Sequence, residues 1–144
     1  MKARLPQVVL DTNVIVAGLR SLNGASYQVL RQLPTDVFEV HVSLPLFVQY
    51  QDVLARHQHE LAGDPEEIVE FLLTLDTLAN YHDIHYLLRP ELDDPGDDMV
   101  LEAAFAARAD FIVTHNIRHF SNVNKFGIQV VTPIQFLNIL GESP

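Results

Sequence analysis

Acidic and amide side chains cluster at four points of the chain where an apolar run gives way to a loop or a helix. The four points are Asp11-Thr12-Asn13, Ser43 with Gln49 beyond it, Asp93–Asp98, and Thr114-His115-Asn116. Carboxylates that are held together repel one another, so such a cluster is costly unless a cation neutralises it. Oxygen ligands in a chain without cysteine favour Mg²⁺ or Mn²⁺. If the fold brings these points together, the sequence therefore predicts a divalent-metal site.

Each of these residues also has a purely structural interpretation. Asp11 alone would more often be a helix cap than a ligand. The acids of Asp94–Asp98 could cap a helix and favour its dipole. Asn116 could cap a turn, and Gln49, which interrupts an apolar stripe, could be a satisfied core amide. Only the convergence of all four points favours a metal-binding or catalytic role for these residues over a structural one.

The rest of the chain supplies the elements that would bring these points together. Runs rich in β-branched residues predict strands, and apolar residues at helical spacing behind N-caps predict helices. The predicted strands are Gln7–Leu10, Val37–Val42, Tyr81–Tyr86, Phe111–Thr114 and Ile128–Val131. The predicted helices are Asn13–Leu19, Ala25–Leu33, Ser43–Arg56, Asp64–Leu78, Met99–Arg108 (opened by Asp94–Asp98) and Thr132–Leu140. Short buried strands alternating with helices indicate a three-layer α/β domain on a parallel sheet, where chemistry gathers beyond the carboxyl ends of the strands.

Length and composition are those of a globular protein. The chain has 144 residues, of which 48% are hydrophobic and 19% charged, and we expect residues 1–144 to form a single domain. The absence of cysteine excludes thiolate zinc sites, iron–sulfur clusters and cysteine nucleophiles. No apolar run approaches the roughly 20 residues of a membrane span, and no signal sequence precedes the first strand. We therefore expect a cytoplasmic protein that does not bind membranes.

The charge balance is unusual for a protein that would bind phosphates. Nine Lys and Arg against nineteen Asp and Glu give a net charge of −10, whereas nucleic-acid-binding proteins are usually basic. Binding would then require a metal ion, a basic partner or a local basic rim, for which Arg20, Arg118 and Lys125 are candidates. Arg118 is favoured because it lies two residues past Asn116. The acidic excess also favours docking to a basic peptide.

The seven histidines form no known metal-binding motif such as His-Glu-x-x-His. We expect them to be surface or hydrogen-bonded structural residues. His115 is the exception, because it ends the fourth predicted strand beside the proposed site.

The motifs, in their order along the chain, resemble those of the PIN-domain family. Val9–Ala17, with the sequence VLDTNVIVA, is similar to the family's opening motif. Later segments resemble a bacterial and archaeal branch of toxins from toxin–antitoxin pairs; they are Val42–Leu54, Asp94–Ala104, Ala109–Asn116 and Val130–Leu137. The resemblance covers nearly the whole chain. It implies a parallel five-stranded sheet of order 3-2-1-4-5 between helical layers.

The resemblance also implies a metal-dependent ribonuclease similar to VapC-like toxins, with Mg²⁺ or Mn²⁺ as cofactor. The first-motif aspartate is a metal ligand in the family, which gives that role to Asp11. The acid that opens the helix before the fourth strand corresponds best to Asp97, with Asp98 beside it. Gln49 and Asn116 stand where the family usually carries acids, and they complete the predicted catalytic set. The residues expected to contact or orient substrate are Thr12, Asn13, Thr114, His115 and Arg118.

The implied partners are an RNA substrate, an antitoxin whose basic tail inserts toward the acids, and a second copy of the chain in a homodimer. The missing acids leave a second interpretation open: a degenerate PIN domain, with weak or no nuclease activity, that binds RNA or a protein. Two other classes fit poorly. A haloacid-dehalogenase-like phosphohydrolase would need an acid at Asn13, and a dinucleotide-binding domain would need Gly-x-Gly-x-x-Gly after the first strand.

Overall fold

The computed structural model describes residues 4–85, 92–121 and 123–142. Its five strands are β1 (Gln7–Leu10), β2 (Glu39–Val42), β3 (Asn80–Tyr81), β4 (Phe111–Val113) and β5 (Gln129–Val131). Every neighbouring pair is parallel, and the strands lie in the order β3-β2-β1-β4-β5. The predicted α/β class, the parallel five-stranded sheet and its 3-2-1-4-5 order are confirmed.

The described residues form six α-helices, of which the last follows the final strand. They are α1 (Thr12–Arg20), α2 (Ala25–Arg31), α3 (Leu44–Arg56), α4 (Pro65–Leu78), α5 (Pro95–Ala107) and α6 (Pro133–Glu142). Helices α3 and α4 begin at predicted caps: Ser43 Oγ accepts a hydrogen bond from Leu46 N at 3.2 Å, and Asp64 forms a capping box with Glu67. Four short 3₁₀ turns complete the connections, at Leu33–Thr35, Gln58–Glu60, Ile117–Phe120 and Val123–Phe126.

The third strand is much shorter than predicted. The sequence suggested Tyr81–Tyr86, but β3 is only Asn80–Tyr81, and Tyr86 lies outside the described residues. The pairing register explains the difference, because Tyr81 pairs with Val42 and β2 ends there. The next residue along the neighbouring chain, Ser43, already caps α3, so it offers no further strand for β3 to pair with.

The centre of the sheet places the residues that follow β1 and β4 side by side. Val8, Val9 and Leu10 of β1 are fully buried, and Leu10 lies opposite Val113 in the register. Helix α5 packs on β1, β2 and β4, while α1 packs on α2, and α2 on α6. Asp11 and Thr114 therefore leave adjacent strands at the same edge.

None of the described helices has the length and apolar character that crossing a membrane requires. The assignment of residues 1–144 to a single domain stays a prediction.

Candidate active site

A cleft of about 480 Å³ opens beyond the carboxyl ends of β1 and β4. Its walls come from α1, α3, the start of α5 and the loop that follows β4. Most of the residues predicted from the sequence line it, namely Asp11, Thr12, Asn13, Gln49, Asp97, His115 and Asn116. The four points of the chain that carried acids and amides thus converge on one cavity.

Asp11 stands at the N-cap position of α1, but its side chain makes no capping hydrogen bond. The carboxylate instead accepts a hydrogen bond from Thr114 Oγ1 at 2.7 Å, and the residue is only 5% exposed. Burial raises the pKa of Asp11, against the lowering effect of the Thr114 hydrogen bond. The backbone of Thr12 and Asn13 also lowers the pKa of Asp11, so this buried side chain interacts with the start of α1 and lines the cleft as well.

Asp97 lies in the first turn of α5 and supplies the second buried carboxyl of the cleft. Burial, together with the negative charges of Asp11 and Asp94, raises the pKa of Asp97 to about 6. Asp94 caps α5 as predicted, because its Oδ1 accepts a hydrogen bond from Gly96 N at 2.8 Å. The ionised forms of Asp11 and Asp97 repel each other, and His119, whose Nδ1 lies 3.2 Å from Asp97 Oδ2, offsets part of this repulsion when it is protonated.

Gln49 reaches the same cleft from α3 and packs against the start of α5. A Cβ atom on Gly96 would lie 2.7 Å from Gln49 Nε2, so a larger residue there would displace the Gln49 amide. Gln49 Oε1 is buried and has no hydrogen-bond partner within the described part of the chain, and the same is true of Thr12 Oγ1. A buried oxygen without a partner is unfavourable, so Gln49 is not a satisfied core amide.

The donor set of the cleft fits a hard divalent cation. Among the described residues, no group of three or more His, Asp or Glu side chains is placed to hold a metal ion. The cleft instead offers two carboxylates, Asp11 and Asp97, together with the unpartnered oxygens of Gln49 and Thr12. Mg²⁺ and Mn²⁺ accept carboxylate and amide oxygens and complete their shells with water.

Three predicted residues do not line the cleft. Asp98 is 2% exposed, and its carboxylate accepts a hydrogen bond from Leu92 N at 2.9 Å. One residue along a helix turns the side chain by about 100°, which separates Asp98 from its neighbour Asp97. Thr114 is completely buried behind Asp11, and Arg118 borders a neighbouring depression of about 520 Å³. The expected ligand role of Asp98 is therefore not supported by its position.

Asn13 and His115 fix the loop that follows β4. Asn13 Oδ1 accepts a hydrogen bond from His115 N at 3.3 Å, and its Nδ2 donates to Thr114 Oγ1 at 3.4 Å. Asn116 N also donates to Thr114 Oγ1, at 3.0 Å. On the far side, His115 Nε2 lies 2.6 Å from Ser26 Oγ of α2, and burial lowers the pKa of His115. These bonds hold Asn116 at the rim of the cleft.

Sequence reasoning did not propose His119 as a site residue, and it favoured Arg118 over Arg20 as the basic residue of the site. His119 Nδ1 lies 3.2 Å from Asp97 Oδ2 and its side chain is 51% exposed, which agrees with the surface or hydrogen-bonded role expected for it and adds a contact with the site. Its spacing of four residues from His115 was the available signal. Arg20 lines the cleft, whereas the favoured Arg118 does not, and Lys125 lies over the ring of Phe126 at 5.2 Å.

A sequence model of the PIN domain matches residues 7–118, most of the chain. The chain belongs to the PIN-domain family. No curated protein sequence matches it. Among solved structures, this PIN domain is similar to a chain in the crystal structure of VapBC2 from Rickettsia felis bound to a DNA fragment from their promoter. The two share 17% sequence identity with a TM-score of 0.61, over 88% of this chain and 98% of that one. At this identity the likeness establishes a common fold.

Proposed function

We propose that this PIN domain is a Mg²⁺- or Mn²⁺-dependent endoribonuclease and the toxin of a toxin–antitoxin pair. The observation that carries the proposal is the pairing of two buried carboxylates, Asp11 and Asp97, with the unpartnered Gln49 Oε1 in one cleft. Membership of a family typified by nucleases supports it. So does the common fold with the VapBC2 chain, whose name is that of a toxin–antitoxin system.

Asp11 and Asp97 would hold the ion, with the amide oxygen of Gln49 as a neutral third ligand. The bound ion supplies positive charge that attracts phosphate oxygens and makes an attacking water more acidic. Thr114 holds the Asp11 carboxylate in place through its 2.7 Å hydrogen bond. Asn116, exposed at the rim of the cleft, would act with these residues as the fourth member of the catalytic set.

The remaining parts of the proposal concern partners. An antitoxin with a basic tail suits the acidic cleft and the net charge of −10, and the attraction would weaken as salt rises. We also propose that the chain forms homodimers and acts on RNA in the cytoplasm. These assignments rest on the family and on the chemistry of the cleft together.

The test measures metal binding and RNA cleavage on the same preparations. Mn²⁺ and Mg²⁺ are titrated against thermal stability at pH 7.5, with Asp11→Asn as the cleft variant and Asp52→Asn, an exposed acid on α3, as the control. An ion at 100 times its Kd stabilises the fold by about 2.7 kcal/mol. We expect this shift, and metal-dependent cleavage that leaves 5′-phosphates, in the wild type and the Asp52 variant only. No shift at millimolar metal in the wild type would refute metal dependence.

A second candidate function is a binding module that keeps the fold without the reaction. The observation that favours it is the neutrality of Gln49 and Asn116, which leaves only two of the predicted catalytic residues acidic. This candidate predicts RNA binding with equal affinity in EDTA and in Mn²⁺, and no cleavage product in either condition.

A further inference from the structure

Arg20 is the one lysine or arginine among the described residues that lines the acidic cleft. It is the last residue of α1 and lies seven positions after Asn13, which is two helical turns along the same face. Its side chain is 49% exposed, so the guanidinium remains accessible to solvent. The cleft therefore has an anionic centre at Asp11 and Asp97, with the permanently charged Arg20 at its edge; His119, which also lines the cleft, is charged only when protonated.

The guanidinium of Arg20 is loosely held. Its Nη2 lies 3.7 Å from Glu60 Oε1, whereas Arg4 Nη1 approaches both carboxylate oxygens of Asp110, at 3.0 and 3.1 Å. The other oxygen of Glu60 lies 2.5 Å from His57 Nδ1, so the carboxylate is shared. A half-exposed ion pair of this length contributes little to stability, so Arg20 is free to exchange partners.

The position of Glu60 is set by the backbone. The 3₁₀ turn Gln58–Glu60 lies against the end of α1, because Ala62 N donates a hydrogen bond to Leu19 O at 2.8 Å. This bond keeps the Glu60 carboxylate near Arg20 and thereby keeps the guanidinium close to the cleft. A chain of net charge −10 needs such a local cation, because its long-range field repels a polyanion.

We infer that Arg20 binds a backbone phosphate of the RNA beside the one that lies at Asp11 and Asp97, and that Glu60 is the competing partner of Arg20 when RNA is absent. The inference rests on the proposed function. Arginine suits the role because its planar guanidinium forms paired hydrogen bonds with phosphate oxygens. Binding of the RNA exchanges the 3.7 Å contact with Glu60 for a stronger contact with phosphate.

The test is binding of a fluorescently labelled single-stranded RNA, followed by anisotropy in EDTA so that the RNA stays intact. Arg20→Gln should weaken binding about tenfold and lower the slope of log Kd against log salt by about 0.7, the value for one phosphate contact on a single strand. Arg20→Lys should recover part of the affinity. The control is Arg56→Gln, which removes the same charge from an exposed position at the end of α3. The inference is overturned if Arg20→Gln and Arg56→Gln have equal effects.

A double-mutant cycle with Glu60→Gln tests the second half of the inference. The Glu60 change should tighten RNA binding in the wild-type background and have a clearly smaller effect in the Arg20→Gln background. Equal effects in both backgrounds would mean that Glu60 acts through bulk charge, which overturns the role assigned to it. If the wild type binds RNA neither in EDTA nor in Mn²⁺, both this inference and the proposed function fail. If the wild type binds RNA and the Arg20 variants bind it with the same affinity, the proposed function stands and this inference fails.

Discussion

Two regions of the molecule bury polar side chains in opposite ways. At the β2–β3 edge, His41 is 6% exposed and hydrogen-bonded at both ring nitrogens: Nε2 lies 2.6 Å from Gln7 Oε1, and Nδ1 lies 2.8 Å from His82 Nε2. Gln7 Nε2 in turn donates to Leu5 O at 2.9 Å. Since Gln7 Oε1 must then accept, His41 carries its proton on Nε2 and accepts from His82. In the cleft, by contrast, like charges are adjacent and two buried oxygens have no partner among the described residues.

The contrast separates polar groups that support the fold from those that await a ligand. A buried network in which each member is hydrogen-bonded rigidifies the structure. Buried carboxylates that repel each other destabilise the unliganded protein, and the arrangement becomes favourable only when a cation binds. The cleft and the histidine network should therefore respond oppositely to mutation and to pH.

The largest expected effect follows from Asp11→Asn. Removal of this ligand should reduce metal-dependent RNA cleavage at least about 100-fold. The same change should leave the free energy of unfolding in EDTA equal or higher, because burial of the charge and its repulsion by Asp97 are both relieved. Cleavage rate and urea denaturation on one preparation check both outcomes. A marked loss of stability would mean that Asp11 supports the fold, as His41 does, and would contradict this prediction.

His41→Ala should have the opposite profile. It leaves Gln7 Oε1 and His82 Nε2 without their partner, which should lower the free energy of unfolding by about 1–3 kcal/mol. The rise in melting temperature on adding Mn²⁺ should stay as in the wild type. His59→Ala, at an exposed position, is the control. If His41→Ala is as stable as the control, the network at the sheet edge is not a structural one.

The pH dependence of stability should have opposite signs in the two regions. Because the pKa of Asp97 is raised to about 6 in the folded state, ionising it disfavours folding. The wild type should therefore lose stability as pH rises from about 4 to about 6, and Asp97→Asn should remove much of that loss.

Burial lowers the pKa of His41, so the wild type should lose stability as pH falls below about 6.5, and His41→Gln should remove this second loss. Urea denaturation in EDTA between pH 4 and 8 measures how the free energy of unfolding depends on pH. If Asp97→Asn or His41→Gln leaves that dependence as in the wild type, the prediction for that residue is wrong.

The sequence was sufficient where local chemistry and strand order act together. The polar residues after β1 and β4 had to meet because parallel neighbours end at the same edge. The interrupted apolar stripe of α3 correctly placed Gln49 in the cleft. Family resemblance then supplied the 3-2-1-4-5 order that brings α5 and Asp97 to the same place.

The sequence was insufficient where one helical turn or the register of two strands determines which side chain faces the cleft or how long a strand is. Asp98 differs from Asp97 only by its angle around α5, and an acidic run does not reveal which member faces the cleft. The contact of His119 with Asp97 depends on the short 3₁₀ turn Ile117–Phe120, which no periodicity marks. The length of β3 depends on where its partner β2 ends.

The smallest expected effect, and the sharpest test of the contrast, comes from Gln49→Glu. A third carboxylate beside Asp11 and Asp97 adds repulsion in a buried site, so the protein in EDTA should lose about 1 kcal/mol of stability. With Mn²⁺ the sign should reverse, because another carboxylate strengthens attraction to the ion, and both metal affinity and RNA cleavage should rise. Gln51→Glu is the matched control, because the same change two residues along α3 falls at an exposed position outside the cleft. If the two variants behave alike with and without Mn²⁺, Gln49 Oε1 is not a ligand position. Tight metal binding by Gln49→Glu without any cleavage would instead favour the binding module over the nuclease.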